Sequence, residues 1–87
     1  MLPKVKKRDG TEEKFSLINL AKVGVASGLT PEQARQLAQI IAQWAEALKS
    51  PVITSIQIRD KMMEELPKMS ENAAELYKWY EQSKEIV

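Results

Sequence analysis

The chain has 87 residues, 44% apolar and 29% charged, with 13 basic and 12 acidic side chains for a net charge of +1. That length suits one domain with a small core, and this composition excludes a disordered chain. Cysteine and histidine are both missing, which excludes disulfides and thiolate metal sites and removes the commonest general base.

No apolar run has the length of a bilayer span, and the amino end lacks the apolar core of a signal peptide. With no cysteines to oxidise, a cytoplasmic setting is expected and no membrane association. The near-neutral balance hides an asymmetry. Lys4, Lys6, Lys7, Arg8 and Lys14 crowd the first fourteen residues, while Asp60, Glu64, Glu65, Glu71, Glu75, Glu81 and Glu85 load the last third. Internal pairing therefore competes with any external anion for the basic end.

Asp9-Gly10 predicts a β-hairpin, because glycine accepts the positive φ of the turn. Two registers are open. A two-residue loop pairs Arg8 with Thr11 and sets Phe15 on the face of Lys4 and Lys6. A three-residue loop with Gly10 as a bulge pairs Lys7 with Thr11, so that Val5, Lys7, Thr11, Glu13 and Phe15 share a face. The second is preferred, since a half-buried sheet needs its two apolar residues on one side.

Ser16 is placed to cap a first helix through Leu17, Ile18, Leu20, Ala21, Val23 and Val25, with Gly28 as its C′ residue. Thr30, Pro31 and Gln33 form a capping-box start for a second. Its stripe of Ala34, Leu37, Ala38, Ile41, Trp44, Ala45 and Leu48 predicts a helix over about 31–49. Ser50-Pro51 breaks it, and Val52-Ile53 suits a short third strand beside the hairpin. Thr54 or Ser55 caps a third helix with Ile58, Met62 and Leu66 on its apolar line, expected to end at Pro67. Ser70 caps a fourth, carrying Ala73, Ala74, Leu76, Tyr77 and Tyr80, with Glu71 suited to the first-turn dipole. Fraying is expected from Lys84 to Val87. The resulting class is α+β: a three-stranded sheet, made of the hairpin and one short strand, packed with four helices.

Catalysis is not expected. No serine lies in a nucleophile elbow, and the adjacent pairs Glu12-Glu13 and Glu64-Glu65 diverge too far for paired acid–base work. Neither catalytic nor metal-ligating residues are assigned. Three glycines make no phosphate-loop fingerprint. An anion site is still available where the first helix begins at Ser16, with Lys7, Arg8 and Lys22 in reach, and its bland alternative is a solvated hairpin. Nucleic acid is not expected from this domain alone, since the basic run is short and Glu12 and Glu13 face it. Trp44 lies on the core stripe. Trp79 falls off the Ala73–Tyr80 stripe, which predicts exposure and suits a partner surface.

Val5, the Lys7-Arg8-Asp9-Gly10 turn, Phe15, Leu20, Ser55 with Ile58, the Met63-Glu64-Glu65-Leu66 helix ending and an aromatic last helix together resemble the ATP-cone. This is the regulatory nucleotide-binding domain of many ribonucleotide reductases and of the repressor of their genes. The resemblance implies one ATP-cone-like domain over residues 3–85, with ATP or dATP, with or without Mg2+, under the hairpin. It implies Val5, Lys7, Arg8 and Glu13 as nucleotide contacts, with Lys7 and Arg8 toward the phosphates and Ser55 and Arg59 on further contact positions. Asn19 stands where the family usually has lysine, with Lys22 one turn beyond it as a substitute cation. Glu75 stands near a position that is often basic. The function implied is allosteric purine-nucleotide binding, acting on a protein partner, a fused catalytic or regulatory domain, or a second copy. The alternative is a degenerate cone without nucleotide affinity that serves as a protein–protein interaction module through Trp79 and its apolar neighbours.

Overall fold

The computed structural model describes the backbone of residues 1–86 and the side chains through Gln82. The fraying expected from Lys84 to Val87 lies outside the described side chains. Seven elements follow in order: β1 (Lys4–Lys6), β2 (Glu12–Lys14), α1 (Leu17–Ala26), α2 (Pro31–Ala47), β3 (Val52–Thr54), α3 (Ser55–Met69) and α4 (Glu71–Ile86). The architecture is α+β, a three-stranded mixed sheet with four helices.

The sheet order is β2-β1-β3, with β1 antiparallel to β2 and parallel to β3. Val5 faces Glu13 across the hairpin. The Lys7 N–H donates to the Thr11 carbonyl at 2.7 Å and the Gly10 N–H to the Lys7 carbonyl at 3.0 Å. Gly10 sits at φ +90°, so the loop has three residues and the preferred register holds. Val5 is buried, and Phe15, just past β2, is half-buried.

Each helix begins on a hydroxyl cap. The Asn19 N–H donates to Ser16 Oγ at 3.1 Å, and the Ala73 N–H to Ser70 Oγ at 3.2 Å. Thr30 and Gln33 form the expected capping box, and Thr54 and Gln57 form a second one. Helix α1 closes with Gly28 at φ +103°, its N–H on the Val25 carbonyl and that of Leu29 on the Gly24 carbonyl. That pairing is a Schellman ending, which needs a left-handed residue at Gly28.

Two expected boundaries move. Helix α2 stops at Ala47 because Lys49 turns to φ +53° ahead of Pro51. Helix α3 runs through Pro67 to Met69. Pro67 removes one hydrogen bond, to the Met63 carbonyl, and both residues lie on the exposed face where water replaces the donor.

The main core joins Leu37 and Ile41 of α2 to Met62 and Leu66 of α3 and to Ala73 and Tyr77 of α4. A smaller cluster of Val5, Ala45 and Ile53 lies beneath the sheet. Phe15, Trp44 and Ile58 pack against both clusters and make them continuous. Trp44 is thus a core side chain, as its stripe requires. At Gly24 an added Cβ would stand 3.0 Å from the Ala34 Cβ, so α1 and α2 approach closely only because that residue is glycine.

Candidate functional site

The hairpin turn is fixed by its own side chain. Asp9 Oδ1 accepts from the Thr11 hydroxyl at 2.7 Å and the Thr11 N–H at 3.0 Å. Those bonds hold the Asp9 carboxyl below its usual range. With the turn set, Lys7 and Arg8 project over the start of α3.

There they bound a cavity of about 340 Å³ together with Asp9, Ser55 and Glu81. Ser55 is the first residue of α3, so the positive end of a fifteen-residue helix borders the cavity. A second hollow of about 120 Å³ is lined by Val5, Glu13, Asn19 and the amino end of α1 at Ser16, with Phe15, Leu20, Val23 and Ile58 supplying apolar walls. The ion pair of Lys7 Nζ with Glu13 Oε2, at 3.3 Å, links the rims of the two hollows.

Arg8 also carries a partner. Its Nη2 lies 3.1 Å from Glu81 Oε2, and the Glu81 side chain is only 13% exposed. The buried Tyr77 phenol lies one helical turn before Glu81 and feels the same carboxylate. Burial first, then the Glu81 charge, pushes the Tyr77 phenol well above its ordinary range, while Arg59 and Arg8 pull the other way. Arg59 stands one turn beyond Ser55, with Nη2 at 3.1 Å from Asp60 Oδ1.

Of the residues read from the sequence, Lys7, Arg8 and Ser55 thus meet at the first cavity, while Val5, Glu13 and Asn19 meet at the second. Arg59 lines neither hollow and pairs with Asp60. Lys22 is elsewhere, between a hollow shared with Val23, Ala26, Ser27, Leu76 and Tyr80 and another shared with Ile18, Val25, Pro31 and Arg35. Glu75 is exposed, and the carboxylate that enters the cavity is Glu81. The signal for it lay in the stripe of α4. Ala73 and Tyr77 are buried four residues apart, and one further step of four reaches Glu81.

Lys7, Arg8 and the Ser55 hydroxyl stand with the Asp9 and Glu81 carboxylates beside a mostly apolar hollow, an arrangement that offers donors and cations to an anionic ligand with an apolar portion. Phosphates suit Lys7, Arg8, the Ser55 hydroxyl and the α3 terminus, and a flat ring suits the walls of Val5, Phe15 and Ile58. Among the described residues no helix is long and apolar enough to cross a membrane.

No curated protein matches the chain. The family described as the ATP cone domain matches residues 3–84. That match spans the hairpin, all three strands and nearly all of the four helices, and the chain belongs to the ATP-cone family.

Proposed function

We propose that this chain is a regulatory domain that binds ATP or dATP between the hairpin and the helices and passes its occupancy to a partner or fused domain. Nucleotide binding in a regulatory role is the general property of ATP-cone domains. The observation that carries the reading for this chain is the convergence of Lys7, Arg8 and Ser55 on one cavity next to an apolar hollow. In this reading Lys7 and Arg8 hold the phosphates and Ser55 and the α3 terminus add neutral donors. Val5, Glu13 and Asn19 line the nucleoside side. Mg2+, when it accompanies the nucleotide, offsets phosphate charge. Occupancy favours one packing of hairpin against helices, and a partner reads the change at the helical surface.

A second reading rests on a separate observation. Trp79 is 67% exposed, with Leu76 and Tyr80 also exposed on α4. A cone that kept this surface without nucleotide affinity would serve as an interaction module. Titration calorimetry with ATP and dATP, with Lys7→Ala as control, separates the two. Saturable heat that Lys7→Ala weakens supports nucleotide binding at this site. No heat and no thermal shift at millimolar nucleotide discards it in favour of the module.

A further inference from the structure

The phosphate-facing cavity already holds an anion of its own. Glu81 lines it from α4, paired with Arg8 at 3.1 Å and only 13% exposed. The pair joins residues 73 positions apart, one at the hairpin turn and one on the last helix. A phosphate group that reaches Arg8 meets a carboxylate on the same guanidinium. Two anions on one guanidinium repel each other, so the phosphate and the carboxylate compete for it.

We propose that ligand binding at this site is an exchange, in which a phosphate of the nucleotide replaces the Glu81 carboxylate on Arg8. This inference rests on the nucleotide reading of the site and assigns its regulation to Glu81. Two consequences follow from the geometry. The first concerns affinity: the resident carboxylate competes with every phosphate, so Glu81 sets the nucleotide concentration at which the domain fills. The second concerns transmission. Once Arg8 turns to phosphate, a carboxylate that is 13% exposed loses a cation partner. The contact that ties the hairpin turn to the last helix is then gone, and the element that carries Glu81 is α4. Trp79 and Tyr80 precede Glu81 on that helix and are exposed. Loss of the Arg8–Glu81 pair therefore changes the surface most suited to a partner. The exchange is a two-state device with both arrangements built from named contacts.

The test is calorimetric titration of the full chain and of Glu81→Gln with ATP, joined to the assigned indole N–H resonance of Trp79. Gln keeps the shape while removing the competing charge. The expected result is ATP binding tighter in Glu81→Gln by about tenfold or more. The Trp79 resonance is expected to move on ATP addition in the unaltered chain and to move less in the variant. Should Glu81→Gln fail to fold, Glu81→Asp keeps the charge but shortens its reach to Arg8, and a smaller gain in the same direction is expected. Equal or weaker ATP affinity in the folded variant, beside normal binding by the unaltered chain, overturns the exchange and leaves the nucleotide site standing. Absence of heat from both proteins removes the site and the exchange together.

Discussion

Lys7 Nζ stands 3.3 Å from Glu13 Oε2, and the two side chains are 50% and 52% exposed. A pair so open to water contributes less than about 1 kcal/mol to folding. Lys7 is therefore available to a ligand at small cost to the hairpin. Lys7→Ala is expected to lower stability by under about 1 kcal/mol in chemical denaturation, while weakening ATP binding by about tenfold through loss of a charge-assisted phosphate contact. A large loss of stability would recast Lys7 as a structural residue.

The hairpin turn depends on ionised Asp9. Its carboxylate is the acceptor for both Thr11 donors, and those bonds hold its pKa below the ordinary value. For a depressed carboxyl the stabilisation is complete above the unfolded pKa and is lost as pH falls through the folded one. The Thr11 amide and hydroxyl contacts are thus expected to persist at pH 5 and to open below the usual aspartate midpoint of about 3.9. The Thr11 amide proton shift followed by NMR from neutral to acid reports it. Asp9→Asn is expected to flatten that titration.

Two glycines bear opposite kinds of constraint. Gly28 holds φ +103°, so Gly28→Ala is expected to cost about 1–2 kcal/mol for the left-handed backbone. Gly24 lies in α1 with the Ala34 Cβ 3.0 Å from any added Cβ. Gly24→Val is expected to wedge α1 from α2 and to cost about 1–3 kcal/mol. Urea unfolding of each variant gives both numbers.

Leu66 is fully buried one residue before Pro67, in the core that joins α3 to α2 and α4. Leu66→Ala is expected to destabilise by about 2–5 kcal/mol, a large share of the stability of so small a domain. Pro67→Ala restores a main-chain donor on the exposed face and is expected to be neutral or mildly stabilising by the same measurement.

The hairpin register was legible because one face had to hold both Val5 and Phe15, and only a loop with Gly10 as a bulge allows that. The helix starts were legible because Ser16, Thr30 and Ser70 are chemically marked caps. The parallel pairing of β1 with β3 was not, since strands of three residues carry too few side chains to name a neighbour or its direction. The passage of α3 through Pro67 was hidden because proline usually ends a helix, and the sequence does not show that the carbonyl it leaves unpaired faces water. Glu81 was missed for a related reason. A lone acidic residue near the end of a charged helix reads as solvated, and only the burial of Tyr77 one turn earlier reveals that its face is turned inward.

In the proposed nucleotide site, Lys7, Arg8 and Ser55 form the phosphate side, and Val5, Glu13 and Asn19 hold the nucleoside side. Backbone amide shifts recorded as ATP is added to the isotope-labelled chain test it most directly. Saturable shifts are expected at Val5–Arg8, Glu13, Asn19 and Ser55, with Ile18 and Val25, which line a different hollow, nearly still. Spectra unchanged at millimolar ATP, or shifts gathered at Ile18, Val25 and Lys22 instead, would contradict it.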